Sequence, residues 1–436
     1  MTKFIITTLG CKVNQYESDA IAQRLKDLGC MPADADNSAD LCIINTCTVT
    51  QKAAMQSRQA VRHLIRSNPR AQIVVTGCYA QIEPGELMKI DGVHRIIGHK
   101  DKHHIPDIVL SGEKAAQSPV LDRQNIQSEH HFKDIPVTVF GNRTRPFLKI
   151  QDGCNAFCTY CIVPYARGRS RSMPLENVLK NIRGLKDAGF HEVVLSGVHL
   201  GAYGLDLSPQ TGLTDLLGQI HDTNAMDRVR LSSIEPNELT QDIVDLVAKS
   251  QILCNHFHIP LQSGDDRILK KMHRDYTRSF FEDLIHRIQN RIPDAALGAD
   301  ILIGFPGETE NAFENTYTLI EKLPVTYLHV FPFSPRPGTP ADKYPQQVPA
   351  KIIKARCKRM RQLGDEKKKA FYEKYTGETV QILIEGKRDN TTGWLKGITS
   401  NYIPVQIAGE DNLFNTLVQV TIEKITTNNT VFGVLC

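Results

Sequence analysis

Cys154, Cys158 and Cys161 stand in the stretch Cys154-Asn-Ala-Phe-Cys-Thr-Tyr-Cys161, a C-x3-C-x2-C spacing. An apolar, strand-like run from Phe147 to Ile150 and the turn residue Gly153 precede it. Thiolates spaced this way are ligands for iron or zinc. Three of them leave one corner of a cubane iron–sulfur cluster, or of a tetrahedral metal, without a protein ligand. Chemistry can occur at that open corner. A zinc site completed by a distant His is the alternative, although zinc knuckles mostly repeat paired short spacings.

A second trio lies upstream. Strand-like runs at Phe4 to Thr8, Leu41 to Asn45 and Ile73 to Thr76 alternate with helical patterns at Ser18 to Leu28 and Gln51 to Arg66. A short helix near Gly85 to Lys89 and a strand at Arg95 to Ile97 follow. Such alternation predicts a parallel sheet with helical crossovers. Cys11, Cys47 and Cys78 each fall just past the carboxyl end of one of the first three strands, the edge at which open parallel sheets bind ligands. Residues remote in sequence therefore converge, again one ligand short of a cubane. Cys30 and Cys42 read as buried apolar thiols. Residues 111–136 read as a polar linker in which His130 and His131 are solvated.

The alternation resumes after Cys161. Strands are expected at Glu192–Leu195, Arg228–Leu231, Asn255–Ile259, Leu297–Ile303 and Thr326–Val330, separated by helices. Six strands in all predict a partial (β/α)6 barrel, whose function sits on loops at the carboxyl ends of its strands. Ser196-Gly-Val-His-Leu-Gly201, Ser232-Ser-Ile-Glu-Pro236, Ile259-Pro-Leu-Gln-Ser-Gly264 and Gly304-Phe-Pro-Gly-Glu308 occupy those ends. Gly permits close approach to a ligand, and Ser, Gln and Glu supply hydrogen bonds. Arg167, Arg169 and Arg171 are placed to hold a carboxylate or an RNA phosphate, or simply to face solvent.

Lys351 to Tyr375 is a long basic helical pattern, either a solvated face or an RNA-contacting one. Beyond Gly377 five short strands predict a small closed barrel, an architecture often used on oligonucleotides. Cys254, Cys357 and Cys436 have no neighbours at metal spacing. The chain has 436 residues, enough for two or three domains, with 41% hydrophobic residues and a net charge of +4 that permits nucleic-acid binding without demanding it. No apolar run reaches about 18 residues, so no membrane partner is expected. The amino terminus lacks a signal-peptide core, and eleven Cys then argue for a reducing, cytoplasmic setting with metal or redox use.

The pattern C-x3-C-x-aromatic-C resembles the signature of the radical S-adenosylmethionine (SAM) enzymes. The resemblance implies that Cys154, Cys158 and Cys161 are the catalytic ligands of a SAM-cleaving [4Fe-4S] cluster, whose fourth iron SAM chelates, with Tyr160 beside the adenine. It further implies that Ser196 and Gly197 contact the SAM amino group, Ser232 and Glu235 its ribose and methionine, and Gln262 and Ser263 another part of it. Thr8-Leu-Gly-Cys-Lys-Val-Asn-Gln-Tyr-Glu-Ser-Asp19, Ile44-Asn-Thr-Cys47 and Val75-Thr-Gly-Cys78 resemble the amino-terminal domain of the methylthiotransferases. In that family the three Cys bind an auxiliary [4Fe-4S] cluster that delivers sulfur, and the segment carrying Arg336 faces the substrate. The tail resembles a TRAM domain, an RNA-binding module.

The expected architecture is therefore α/β throughout: an open parallel-sheet domain (1–115), a linker (116–139), a radical-SAM partial barrel (140–370) and a TRAM-like β-barrel (373–436). The activity this resemblance implies is methylthiolation of N6-threonylcarbamoyladenosine at position 37, in the anticodon loop of tRNA. SAM cleavage would yield a deoxyadenosyl radical that abstracts hydrogen, sulfur would be inserted, and a second SAM would supply the methyl group. Arg167, Arg169 and Arg336 are candidate substrate contacts, and an electron donor outside the chain is required. Alternatives are isopentenyl-adenosine in tRNA or a ribosomal-protein aspartate as substrate, a non-catalytic iron–sulfur RNA-binding protein, and a zinc protein.

Overall fold

The first half of the sheet-forming pattern closes as expected. In the computed structural model, which describes residues 1–33, 39–111, 119–134, 137 and 143–436, β1 (Lys3–Thr8), β2 (Met31–Pro32), β3 (Leu41–Thr46), β4 (Gln72–Gly77), β5 (Arg95–Ile97) and β6 (Val120–Asp122) form one parallel sheet. Their order is β2-β1-β3-β4-β5-β6. The strands that precede Cys11, Cys47 and Cys78 are thus immediate neighbours, with Thr8 opposite Asn45 and Thr46 opposite Gly77. Helices α1 (Lys12–Asp27), α2 (Gln51–Ser67), α3 (Cys78–Ile82), α4 (Pro84–Met88) and α5 (Ile105–Leu110) supply the crossovers. Cys42 and Cys30 lie in the two apolar layers that cover the sheet.

Two local expectations change. Helix α1 starts at Lys12 rather than Ser18, because its first turns bury the polar residues Asn14, Glu17 and Ser18. An apolar periodicity cannot register a buried face made of polar side chains. The segment read as linker also contains β6, which pairs with β5. Residues 112–118, 135–136 and 138–142 of that segment and its border lie outside the described residues. His130 and His131 are exposed.

The remaining elements follow in order. They are β7 (Phe147–Lys149), β8 (Gln151–Asp152), α6 (Val163–Arg167), β9 (Arg171–Ser172), α7 (Leu175–Asp187), β10 (Glu192–Ser196), α8 (Leu213–Asp222), β11 (Arg228–Leu231) and α9 (Gln241–Lys249). Then come β12 (His256–His258), α10 (Asp266–Lys271), α11 (Arg278–Arg291), β13 (Ala296–Ile303), α12 (Glu310–Lys322), β14 (Tyr327–Pro332) and α13 (Ala350–Glu373). Strands β7, β10 and β11 form one three-stranded sheet, and β12, β13 and β14 another. Parallel bridges Val229–Leu253 and Ser233–His258 join them, giving the partial barrel of six strands. Strands β15 (Thr379–Arg388), β16 (Leu395–Thr399), β17 (Pro404–Ile407), β18 (Leu417–Ile425) and β19 (Val431–Leu435) close a five-stranded barrel. Its apolar core continues into Phe371 and Tyr372 of α13.

The chain divides into two compact units. One contains residues 1–141, 149–173 and 334–342; the other contains 142–148, 174–333 and 343–436. The Cys154–Cys161 loop, read as the start of the central domain, therefore shares a unit with the amino-terminal sheet. In the second unit the small barrel is tied to the partial one through charge. Glu192, fully buried at the start of β10, accepts from Arg230 Nε at 2.8 Å, while Arg230 Nη1 and Nη2 donate to the carbonyls of Ser400 and Thr399 at 2.7 and 3.0 Å. Two cations of the basic helix α13 are spent on the protein itself. Arg356 pairs with Glu308 and Glu310, and Arg359 with Glu314.

Candidate functional site

Both cysteine trios belong to one unit, and α3, which begins at Cys78, packs on α6, which follows Cys161. Cys11 is exposed at the N-cap of α1, whereas Cys47 and Cys78 are buried. The backbone at Cys47 is pinned twice by Ser57, whose hydroxyl accepts from Cys47 N–H at 3.1 Å and donates to Cys47 C=O at 2.9 Å. Gly77 (φ +97°) lets β4 turn directly into α3: a Cβ there would lie 2.4 Å from the Thr46 carbonyl oxygen. A Cβ on Gly10 would lie 3.0 Å from Cys47 Sγ, so the first and second strand ends meet at the sulfur. Burial pushes the Cys78 thiol up to about 12, opposed by the Arg167 guanidinium. Such thiols give up their protons to a metal rather than to water.

In the other trio Cys158 is buried and Cys154 and Cys161 are half-buried. The loop is closed by Cys154 N–H donating to Gly168 C=O at 3.0 Å and Cys161 N–H donating to Cys158 C=O at 2.9 Å. Gly153 (φ +73°) is required, since a Cβ would stand 1.9 Å from the Arg169 carbonyl oxygen. Gly153→Ala is expected to destabilise this loop by at least about 2 kcal/mol. Chemical denaturation of the variant checks this.

Beneath the cysteines lies a buried ion network that sequence reasoning did not find. Arg167, 2% exposed, donates from Nη1 to Glu17 Oε1 (3.0 Å) and Asp152 Oδ1 (2.8 Å), and from Nη2 to Asn14 Oδ1 (2.5 Å) and Glu17 Oε2 (3.2 Å). Lys102 Nζ lies 2.6 Å from Glu17 and 3.1 Å from Asn45 Oδ1. Lys149 Nζ lies 3.1 Å from Glu17 and 3.2 Å from Asp152, which Arg171 also approaches at 3.6 Å. Four cations thus share two carboxylates. Burial opposes ionisation of Glu17 and Asp152, but the surrounding cations outweigh it and hold both well below the usual carboxylate range. Asn14, Glu17 and Asn45 tie in the two Cys-bearing strand ends, and Asp152 and Arg167 flank the C-x3-C-x2-C loop. One network therefore holds both trios, and its excess positive charge faces Cys78 and Cys11. Polar residues scattered over 150 positions carry no local pattern, so only the fold reveals it.

This corrects the reading of Arg167 as a ligand contact: its guanidinium is committed to carboxylates of the chain. Arg171 is likewise buried, and Arg169 is exposed. Arg336 is 3% exposed and meets Thr48 Oγ1 at 2.6 Å and Glu83 Oε1 at 2.5 Å, next to the Cys47 loop. It acts as an internal tie rather than an open substrate contact. Arg336→Ala is expected to cost about 2–3 kcal/mol in chemical denaturation, because the buried Thr48 hydroxyl loses its partner.

The other expected residues lie at carboxyl ends of barrel strands in the second unit. Ser196 ends β10, with Gly197 next to it. Ser232 follows β11, is 8% exposed, and its hydroxyl has no hydrogen-bond partner among the described residues. A buried orphan hydroxyl at a strand end fits a bound polar ligand. Glu235 pairs with Arg274 at 2.5 Å. Gln262 takes a left-handed conformation (φ +63°) in a bridge to Ile301. Ser263 departs from expectation. Its hydroxyl accepts from Asp265 N–H at 3.2 Å and lies 3.5 Å from Thr316 Oγ1, so it shapes the turn into α10. Tyr160, in the cluster loop, is half-buried.

A three-cysteine loop leading into a partial (β/α)6 barrel defines the class: this is a radical-SAM enzyme, for which SAM and a [4Fe-4S] cluster are the expected cofactors. The radical SAM superfamily matches residues 148–320, and the uncharacterized protein family UPF0004 matches residues 3–98. The chain is 40% identical to threonylcarbamoyladenosine tRNA methylthiotransferase MtaB of Bacillus subtilis, over 96% of this chain and 93% of that protein. It is 35% identical to the protein of the same name in Aquifex aeolicus, over 93% of this chain and 97% of that one. To tRNA-2-methylthio-N(6)-dimethylallyladenosine synthase of Clostridium tetani it is 34% identical, over 97% and 94%. The solved radical SAM methyltransferase TsrM of Kitasatospora setae, with tryptophan and a SAM analogue bound, shares the fold: TM-score 0.58, 17% identity, 78% of this chain and 75% of that one. The chain belongs to the radical-SAM methylthiotransferase family. Among the described residues no helix is long and apolar enough to cross a membrane.

Proposed function

We propose that this enzyme converts N6-threonylcarbamoyladenosine in the anticodon loop of tRNA to its 2-methylthio derivative. The observation that carries the reading is the pair of cysteine trios in one compact unit, each one ligand short of a cubane. That donor set suits two [4Fe-4S] clusters, Cys154/Cys158/Cys161 and Cys11/Cys47/Cys78. When bound, the first cluster with SAM supplies a hydrogen-abstracting radical, and the second supplies sulfur. The chain's own share is positioning. Ser57 and Gly77 set the sulfur-bearing turns, and Gly153 and Gly168 shape the other loop. The Arg167 network offsets the negative charge of the Cys11, Cys47 and Cys78 thiolates. Tyr160, Ser196, Gly197, Ser232, Glu235 and Gln262 are the residues we assign to SAM, the orphan Ser232 hydroxyl being the best supported. Exposed Arg169 is left as a candidate phosphate contact. A cytoplasmic setting and an external electron donor follow from the proposed substrate and reaction.

Threonylcarbamoyl-adenosine is favoured over isopentenyl-adenosine by the 40% identity to MtaB of Bacillus subtilis over 93% of that protein, against 34% to the Clostridium tetani synthase. The test is anaerobic incubation of the cluster-loaded enzyme, SAM and a chemical reductant with tRNA carrying either nucleoside, followed by mass analysis of the nucleosides. A gain of the methylthio group on threonylcarbamoyl-adenosine is expected. A gain on isopentenyl-adenosine alone would overturn the substrate assignment.

A further inference from the structure

Three strands of the partial barrel place polar side chains on one face, by the period-2 alternation of a strand. His256 and His258 come from β12, Asp300 from β13, and Tyr327 and His329 from β14; Asp300 is directly opposite His329 in register. They form a continuous chain. Tyr327 Oη is 2.8 Å from His256 Nε2 and 3.0 Å from His258 Nδ1. His258 Nε2 is 2.7 Å from Asp300 Oδ1, and His329 Nδ1 is 3.3 Å from the same oxygen. Burial works against the Asp300 charge, but hydrogen bonds from both His rings hold the group ionised. Asp300 therefore orients His329 through Nδ1 and leaves Nε2, on the far edge of the ring, for another partner.

His329 is half-exposed, and it lines a cavity of about 960 Å³ within the second unit. Tyr327 and Tyr402 give that cavity aromatic walls, and Arg361, Lys368 and Lys396 give it cations in excess of its carboxylates, Asp365 and the Glu385 that Arg145 pairs at 2.7 Å. Aromatic faces with cations at hand suit an unpaired nucleotide. The size suits a nucleoside carrying a bulky substituent. A wall that hydrogen-bonds is selective in one direction. Arg361 Nη2 donates to the Val330 carbonyl at 3.1 Å and Lys368 lies over the Tyr372 ring, so an apolar substituent would offer these cations and His329 Nε2 nothing further to bond, whereas a hydroxyl- and carboxylate-bearing one would.

We propose that this cavity reads the polar N6 substituent of the target nucleoside, with His329 hydrogen-bonding it and the Arg361, Lys368 and Lys396 group balancing its carboxylate. The proposal rests on the functional reading above and deepens it to specificity-determining residues. Asp300 is a positioning residue that acts through His329.

The test measures Kd of the cluster-loaded enzyme for anticodon stem-loop RNAs bearing threonylcarbamoyl-adenosine, isopentenyl-adenosine or plain adenosine at one position. Wild type should prefer the threonylcarbamoyl loop over the isopentenyl loop by at least about tenfold, the worth of one hydrogen bond to a charged group. His329→Phe should bring that ratio close to one, and Asp300→Asn should lower it partway. Should His329→Phe fail to fold, Arg361→Gln, at an exposed position, decides by the same ratio. An unchanged ratio overturns the proposal. So does an equal loss for all three loops, which would make the cavity a groove for RNA phosphates. If wild type makes no methylthio product from threonylcarbamoyl tRNA, the functional reading fails; if it does and the ratio stays fixed, only the cavity proposal fails.

Discussion

Arg167→Met is expected to destabilise the first unit by about 3–5 kcal/mol, the usual loss when one partner of a buried ion network is removed. The side chain is 2% exposed and bonds Glu17, Asp152 and Asn14 together. Its loss leaves two buried carboxylates with Lys102, Lys149, Arg171 and the Gly153 N–H to stabilise them. The pH dependence follows from the same bonds. Both carboxylates are depressed in the folded state, so they contribute stability above their unfolded value of about 4, and it is lost as pH falls through their lower folded values. In Arg167→Met the folded values rise, and acid unfolding should begin at a higher pH than in wild type. Arg167→Lys retains the charge without the two-pronged guanidinium and should recover only part of the loss. Chemical denaturation at pH 7 and at about pH 3, alongside iron content at pH 7, checks this. A variant within about 0.5 kcal/mol of wild type and with full iron would refute the account of the network.

Replacing Cys11, Cys47 and Cys78 together by Ala is expected to halve the bound iron, from about eight to about four atoms per chain, the arithmetic of two cubanes. The remaining cluster should still support SAM cleavage, measured as 5′-deoxyadenosine, while methylthiolated product disappears altogether. The Arg167 network gives the experiment a second edge. Arg167 and Lys102 of that network act on these sulfurs, so removing the thiolates leaves their positive charge less compensated. The triple variant should therefore also be less stable than the loss of three small side chains would suggest. Iron and sulfide analysis of anaerobically purified protein decides it. About four irons in wild type and no loss in the variant would make the first trio structural, and the enzyme a radical-SAM protein of another product.

The chemistry of this chain was legible because its ligands come in local patterns. C-x3-C-x2-C is visible within eight residues, and the other three Cys each follow a strand whose apolar run is itself a signal. Strand and helix periodicity placed all six barrel strands and the five of the small barrel to within a few residues. It misplaced the start of α1 and missed β6. The first buries polar residues where periodicity expects apolar ones. The second, Val120–Asp122, is a three-residue edge strand too short to show a period.

Arginines were the weakest part of the reading, because an Arg on the page looks the same whether it meets solvent, a ligand or the protein's own carboxylates. Arg167 and Arg336 turned out to be internal, and the network around Arg167 joins residues up to 153 positions apart. The His258–Asp300–His329 group was equally invisible, since its members come from three strands and meet only through register. The sequence by itself thus determined the class of chemistry and the order of elements, which depend on short-range spacing. Only the tertiary structure decided which charged side chains face one another, because burial and pairing arise from segments brought together by the fold.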